Sequence, residues 1–255
     1  MKPKPRGSRH HPEPKRPNQR CHDCPSSLHN GMIAPLEPFA IRGVIWYQGE
    51  SNSGQSAAYQ KLLPAMIADW RRVWGEKLPF LFVQLAPYRG THPAFREAQL
   101  RIWQKTPDTA MIITTDVGAA DNIHPTHKRP VGERLALAAR ALSYGERIEY
   151  SGPVFDSINI EDGRAVIAFT HTGGGLIAKS GALKGFTIAG ADGKFVPADA
   201  VIEGETVVVT SKSITNPADV RIAWAMVPDA NLFNREGLPA APFRSDAPVQ
   251  PPSKK

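Results

Sequence analysis

Between residues 41 and 145, short apolar runs alternate with longer segments whose apolar residues recur every three or four positions. Residues 41–47, 80–86 and 110–115 are runs of strand length. Residues 57–74 carry Leu62, Leu63, Met66, Ile67, Trp70, Val73 and Trp74 at helical spacing, with Ser56 placed to cap the start and Gly75 to stop the end. Residues 95–104 and 131–144 predict two more helices, the second with Leu135, Ala138, Ala139 and Leu142 on one side. Three strand–helix units in succession predict right-handed crossovers and a parallel sheet covered on both faces. In such sheets chemistry collects at the carboxyl ends of the strands.

From residue 149 the pattern changes. Short β-branched runs are separated by turn signals, as in Ile158-Asn159-Ile160 before Glu161-Asp162-Gly163, and in Val201-Ile202 before Glu203-Gly204-Glu205 and residues 206–210. Residues 149–246 therefore predict a small antiparallel β domain, after a first domain at 28–148. Residues 1–27 and 247–255 have no apolar period and read as disordered tails.

Charge sharpens this division. Of the formal +7, residues 1–27 hold +5 and Lys254 and Lys255 hold +2, so the body is neutral. A nucleic-acid binder is expected to carry basic residues on its folded elements, and none of that excess lies there. No apolar run approaches the ~20 residues that span a bilayer, so no membrane partner is expected. The basic N-terminus has no apolar stretch behind it and is not a secretory signal, which leaves localisation open. Cys21-His22-Asp23-Cys24 supplies two thiols with a histidine between them, too few ligands at the wrong spacing for a zinc site. No metal or cofactor is expected.

Two carboxyl-end loops carry candidate chemistry. The first is Gln48-Gly49-Glu50-Ser51-Asn52-Ser53-Gly54, after the first strand. Ser51 invites reading as a nucleophile, but a nucleophile elbow needs glycine two residues later and Ser53 stands there. The second runs from Asp116 to Pro125 after the third strand. Its Asp121 and His124 are spaced so that a carboxylate can accept from one imidazole nitrogen while the other faces a nucleophile.

Together these loops resemble the sialate O-acetylesterase family of SGNH-type hydrolases. The resemblance is carried by Val44 to Asn52, by Asp121-Asn122-Ile123-His124-Pro125 with the helix after it, and by the lead-in from Leu28 to Gly43. It continues through Gly173 to Leu176, Leu183 to Phe186 and Asn231 to Arg244, so that it spans about residues 28 to 246. It implies an α/β fold: a partial SGNH (flavodoxin-like) parallel sheet with flanking helices at 28–148, then the β domain. It implies His124 as general base, Asp121 as the acid that holds it, with Asp116 in reserve. It implies Gln48 as side-chain donor to the oxyanion hole, Gly49 as the point of close backbone approach, and Glu50 as a supporting group that fixes the Gln48 loop. The implied substrate is an acetylated carbohydrate, and family members are often exported.

One part of the family pattern is missing. The nucleophile belongs to a Gly-Gln-Ser-Asn-Met motif upstream of the Gln48 loop, and no such motif occurs in this sequence. Ser56, in Gly54-Gln55-Ser56-Ala57, begins like the motif but lacks its Asn-Met. No residue here is assigned as nucleophile. The expectation is a C-terminal part of an esterase, inactive alone, whose partner is a missing N-terminal segment. The alternative is a non-catalytic carbohydrate-binding or structural protein using Trp46, Tyr47 and Trp224.

Overall fold

The structure, a computed structural model, describes Cys24, residues 26–75 and residues 77–246. The expected tail 247–255 lies outside the described residues, as does all of 1–27 except Cys24, Ser26 and Ser27. The chain divides into two compact units, Met1–Ile41 and Arg42–Lys255. In the first, a π-helical turn at His29–Ile33 runs into a 3-10 turn at Ala34–Leu36, with Pro35 in its opening positions, where the missing N–H costs nothing.

The second unit opens with three strand–helix pairs. These are β1 (Val44–Trp46), α1 (Ser56–Trp74), β2 (Phe80–Val83), α2 (Pro93–Lys105), β3 (Thr109–Ile112) and α3 (Arg129–Tyr144). The strands form a parallel sheet in the order β1-β2-β3, with Val44 opposite Phe80 and Phe80 opposite Thr109. Every residue of β2 and β3 is buried, as continuous apolar runs between two layers require. α1 and α2 cover one face, where Tyr59, Leu63, Ile67 and Phe95 pack with Phe80 and Phe82. α3 covers the other, with Leu135 and Ala138 against Leu81, Ala110 and Ile112. β1 has β2 as its sole strand partner among the described residues, and Ile45 is 67% exposed.

Helix starts differ from the sequence expectation in one instructive way. Ser56 is the first residue of α1 and Gln55 holds the cap position without a side-chain cap bond. α2 starts two residues early, at Pro93, because the His92 ring accepts at Nδ1 from the Ala94 N–H at 3.2 Å. No helix among the described residues is long and apolar enough to cross a membrane.

The rest of the unit is antiparallel β. β4 (Val154–Glu161), β5 (Arg164–Thr170), β10 (Thr206–Thr210) and β9 (Asp199–Glu203) form one sheet in that order. β13 (Phe243–Arg244), β11 (Asp219–Ile222), β7 (Phe186–Ala189) and β8 (Val196–Pro197) form a second, and β12 (Leu232–Asn234) pairs with β6 (Leu176–Ala178). Two-residue turns close the β4–β5 hairpin at Asp162-Gly163 and the β9–β10 hairpin at Gly204-Glu205. Alternate residues Ala165, Ile167, Val207 and Val209 meet Ile188, Val220 and Ile222 in a second core. Asn234 staples the linker to this body: its side-chain amide donates to Ser151 O at 2.9 Å and to His171 O at 3.2 Å.

Candidate active site

The loops that leave the carboxyl ends of β1, β2 and β3 meet in one cleft. Tyr47 and Glu50 come from the first loop, Leu85, Pro87 and Tyr88 from the second, and Ile123 and Pro125 from the third. The second loop is rigid because side chains satisfy its backbone where the ladder ends. Gln99 donates to Val83 O at 3.1 Å and accepts from the Leu85 N–H at 2.8 Å, and Thr114 Oγ1 donates to Gln84 O at 2.6 Å. Buried main-chain groups need such partners once strand pairing stops.

Gln48 is fixed at both ends of its amide. The Tyr59 hydroxyl lies 3.1 Å from Gln48 O and 3.3 Å from Gln48 Oε1, while Nε2 donates to Asn52 Oδ1 at 2.8 Å. A primary amide has two N–H donors, so one remains after Asn52 is satisfied. Gly49 follows with φ at +152°, and a Cβ there would stand 2.7 Å from Phe95 Cε1. Only glycine fits both that backbone conformation and that approach. Glu50 opens a 3-10 turn, Glu50–Asn52, and its side chain lines the cleft. Burial, and then the Glu50 charge, push the Tyr47 and Tyr59 hydroxyls above their ordinary pKa.

The third loop is pressed onto the second. At Gly118 a Cβ would lie 2.4 Å from Pro87 O, so the two backbones touch where a side chain would separate them. The Arg89 N–H donates to Ala120 O at 3.1 Å. The Asp116 carboxylate is consumed by Arg134, which reaches its two oxygens at 2.7 and 2.6 Å and donates to Ile113 O at 2.8 Å. Asp121 pairs with Arg89, both side chains being more than 70% exposed. The His124 N–H donates to Asn122 Oδ1 at 2.9 Å, and its exposed ring has no hydrogen-bond partner among the described residues. Lys128 Nζ sits 4.7 Å over the Tyr47 ring and ties the third loop to the first.

The structure thus brings the loops of Gln48 and His124 to one cleft, and it leaves Asp121 on Arg89 with no bond to His124. Ser51 is exposed in the 3-10 turn. Sequence reasoning missed Asn52, Tyr59, Arg89 and Lys128. Asn52 stood in the loop already singled out, and its i+4 spacing from Gln48 was the available signal. Among the described residues no group of three His, Cys, Asp or Glu side chains converges as a metal site requires.

Comparison with known proteins bears on what this cleft is. Residues 25–141 match the family model of carbohydrate esterases described as sialic acid-specific acetylesterase. The sialate O-acetylesterases of Mus musculus and Homo sapiens are each 33% identical over 57% of this chain. Residues 25–141 are thus similar to the sialic acid-specific acetylesterases. The chain spans about a third of the length of these curated relatives, 32% and 33% respectively. A crystal structure of a carbohydrate acetylesterase from Xanthomonas citri superposes with a TM-score of 0.82 at 44% identity, over 86% of this chain and 54% of that one. The segment matched to the acetylesterase family holds both cleft loops, with Gln48, Gly49, Glu50, Asp116, Asp121 and His124. The match to the X. citri acetylesterase covers more of the chain than that segment does.

Proposed function

We propose that this chain carries the oxyanion-donor loop and the base loop of a serine-type carbohydrate O-acetylesterase. The observation that carries the reading is the amide of Gln48, which stands in the chain between Tyr47 and Glu50, both lining the cleft, and is locked between Tyr59 and Asn52 with one N–H left over. Preorganised donors of this kind stabilise the oxyanion of acyl transfer without reorganising during the reaction.

In this reading a serine Oγ attacks the acetyl carbonyl while His124 takes its proton. The carbonyl oxygen, now negative, accepts from Gln48 Nε2. Collapse breaks the ester bond, His124 returns the proton to the sugar oxygen, and acetyl-serine is then cleaved by water activated at the same histidine. Asp121 is the acid that orients His124. Asp116 is a poorer choice because both its oxygens are spent on Arg134. The Arg89–Asp121 pair is a solvent-exposed ion pair worth little, so the Asp121 side chain exchanges partners at small cost. Gly49 and Glu50 support the Gln48 loop, the first by close approach to Phe95 and the second by opening the turn that brings Asn52 back to Gln48.

The nucleophile is assigned to polypeptide other than these 255 residues, since no Gly-Gln-Ser-Asn-Met motif occurs in them. These residues alone are then inactive. A purely carbohydrate-binding role has weaker support. Trp46 is packed edge-on against Trp70 at 6.1 Å, and Trp224 lies under Arg244 at 5.2 Å.

A fluorophosphonate that labels activated serines tests this. The 255-residue chain should stay unlabelled and should not cleave p-nitrophenyl acetate. Joined to a serine-bearing segment of an acetylesterase relative, it should gain labelling and turnover, and His124→Ala should remove both. Labelling of the 255-residue chain that His124→Ala abolishes would sink the assignment of the nucleophile elsewhere.

A further inference from the structure

The carboxyl end of β2 is held by a buried cation with no carboxylate partner. Arg96 on α2 is fully buried at 0% exposure. Its guanidinium ends on three main-chain carbonyls: Nε donates to Leu85 O at 3.1 Å, one terminal nitrogen to Ala225 O at 2.8 Å, and the other to Met226 O. Burial lowers its pKa to about 10. Burying a cation among carbonyls alone is costly, and an apolar side chain would fill the same volume without that cost. What the arginine adds is position. Leu85 lines the cleft, and Ala225 lies 129 residues beyond Arg96, in the loop after β11. One guanidinium sets these two backbones side by side.

The held loop presents apolar surface. Met226 and Val227 are 42% and 41% exposed, although the backbone of Met226 is pinned from beneath. A methionine is deformable and packs against irregular apolar shapes, and the C–H face of a pyranose with its acetyl methyl groups is such a shape. Pockets for ligands of this size commonly lie where domains meet, lined by apolar side chains with few fixed polar groups.

We infer that the loop of residues 224–227 forms an outer wall of the cleft, that Met226 touches the acetylated sugar beyond the reacting ester, and that Arg96 is the positioning residue that holds it there. This rests on the reading of the cleft as an acetyl-ester site.

The 255-residue chain, labelled at its methionine ε-methyl groups and histidine rings, is titrated with peracetylated methyl xyloside and followed by NMR. The Met226 methyl and His124 ring signals should move together with one dissociation constant. Met226→Ala should weaken binding about tenfold, read at His124, with Tm unchanged. Arg96→Met should weaken it by the same factor, and the double variant should be no weaker than Arg96→Met alone, a non-additivity that general loosening of the fold does not produce. Movement of His124 with Met226 still would overturn the inference and leave the esterase reading standing. Stillness of both would overturn both. Additive effects of the two substitutions would remove Arg96 from the role. Should Arg96→Met not fold, Met226→Ala, at an exposed side chain, decides the contact by itself.

Discussion

The hydroxyl of Tyr59, on the first turn of α1, reaches back to Gln48 and lies 3.1 Å from its main-chain oxygen and 3.3 Å from its side-chain oxygen. One phenol therefore fixes both the course of the loop and the orientation of its amide. Because Oε1 faces Tyr59, the nitrogen faces Asn52.

Tyr59→Phe removes that hold. At neutral pH the loss should be about 1 kcal/mol of stability, the net worth of such a hydrogen bond. The alkaline limb should change as well. Folding raises the Tyr59 pKa above its ordinary value of 10.0 through burial and the nearby Glu50 charge. A raised folded value means the contribution is fully present below pH about 10, where the unfolded phenol ionises, and is lost as pH rises through the folded value. Urea titrations from pH 8 to 11 should show a shallower alkaline decline in Tyr59→Phe. An unchanged decline would assign it to other groups, Tyr47 among them.

Gly49→Ala should destabilise by about 3 kcal/mol, since it combines a disfavoured backbone angle with overpacking against Phe95. Chemical denaturation measures this. A loss below about 0.5 kcal/mol would show that the loop moves aside freely.

Arg134→Met should cost about 1–3 kcal/mol, because it leaves the part-buried Asp116 carboxylate without its bidentate partner. Adding Asp116→Leu should recover most of that loss if the pair is structural. The double variant staying as unstable as Arg134→Met would point to a further role for Asp116.

Asp121→Ala and His124→Ala should each leave stability within about 0.5 kcal/mol of the parent, since both side chains are exposed and the Arg89 pair is a surface one. In the serine-complemented enzyme they should nonetheless remove turnover, and Gln48→Ala should lower kcat by roughly a hundred- to a thousandfold. Retained turnover in His124→Ala would exclude it as the base.

Much of the scaffold was legible in the chain. Apolar runs at residues 80–86 and 110–115 marked β2 and β3, and the 3.6-residue spacing of Leu63 and Ile67 marked the buried side of α1, because burial on a regular element repeats with that element's period. The hairpin turns at Asp162-Gly163 and Gly204-Glu205 were readable because they demand particular residues locally. The cap of α1 was read one residue late, at Ser56, because a serine's propensity says nothing of where the loop before it turns.

The sequence by itself determined the two candidate loops, their place at strand ends, and the family that Gln48 and His124 suggest. Tertiary structure alone decided what holds them. Phe95 bars a side chain at Gly49, Pro87 bars one at Gly118, Arg134 takes Asp116 out of contention, and Arg89 engages Asp121. The physical reason is range. Periodicity and turn chemistry act between residues a few positions apart, whereas a hydrogen bond from Arg96 to the carbonyl of Ala225 joins residues 129 apart, and no local pattern encodes that meeting.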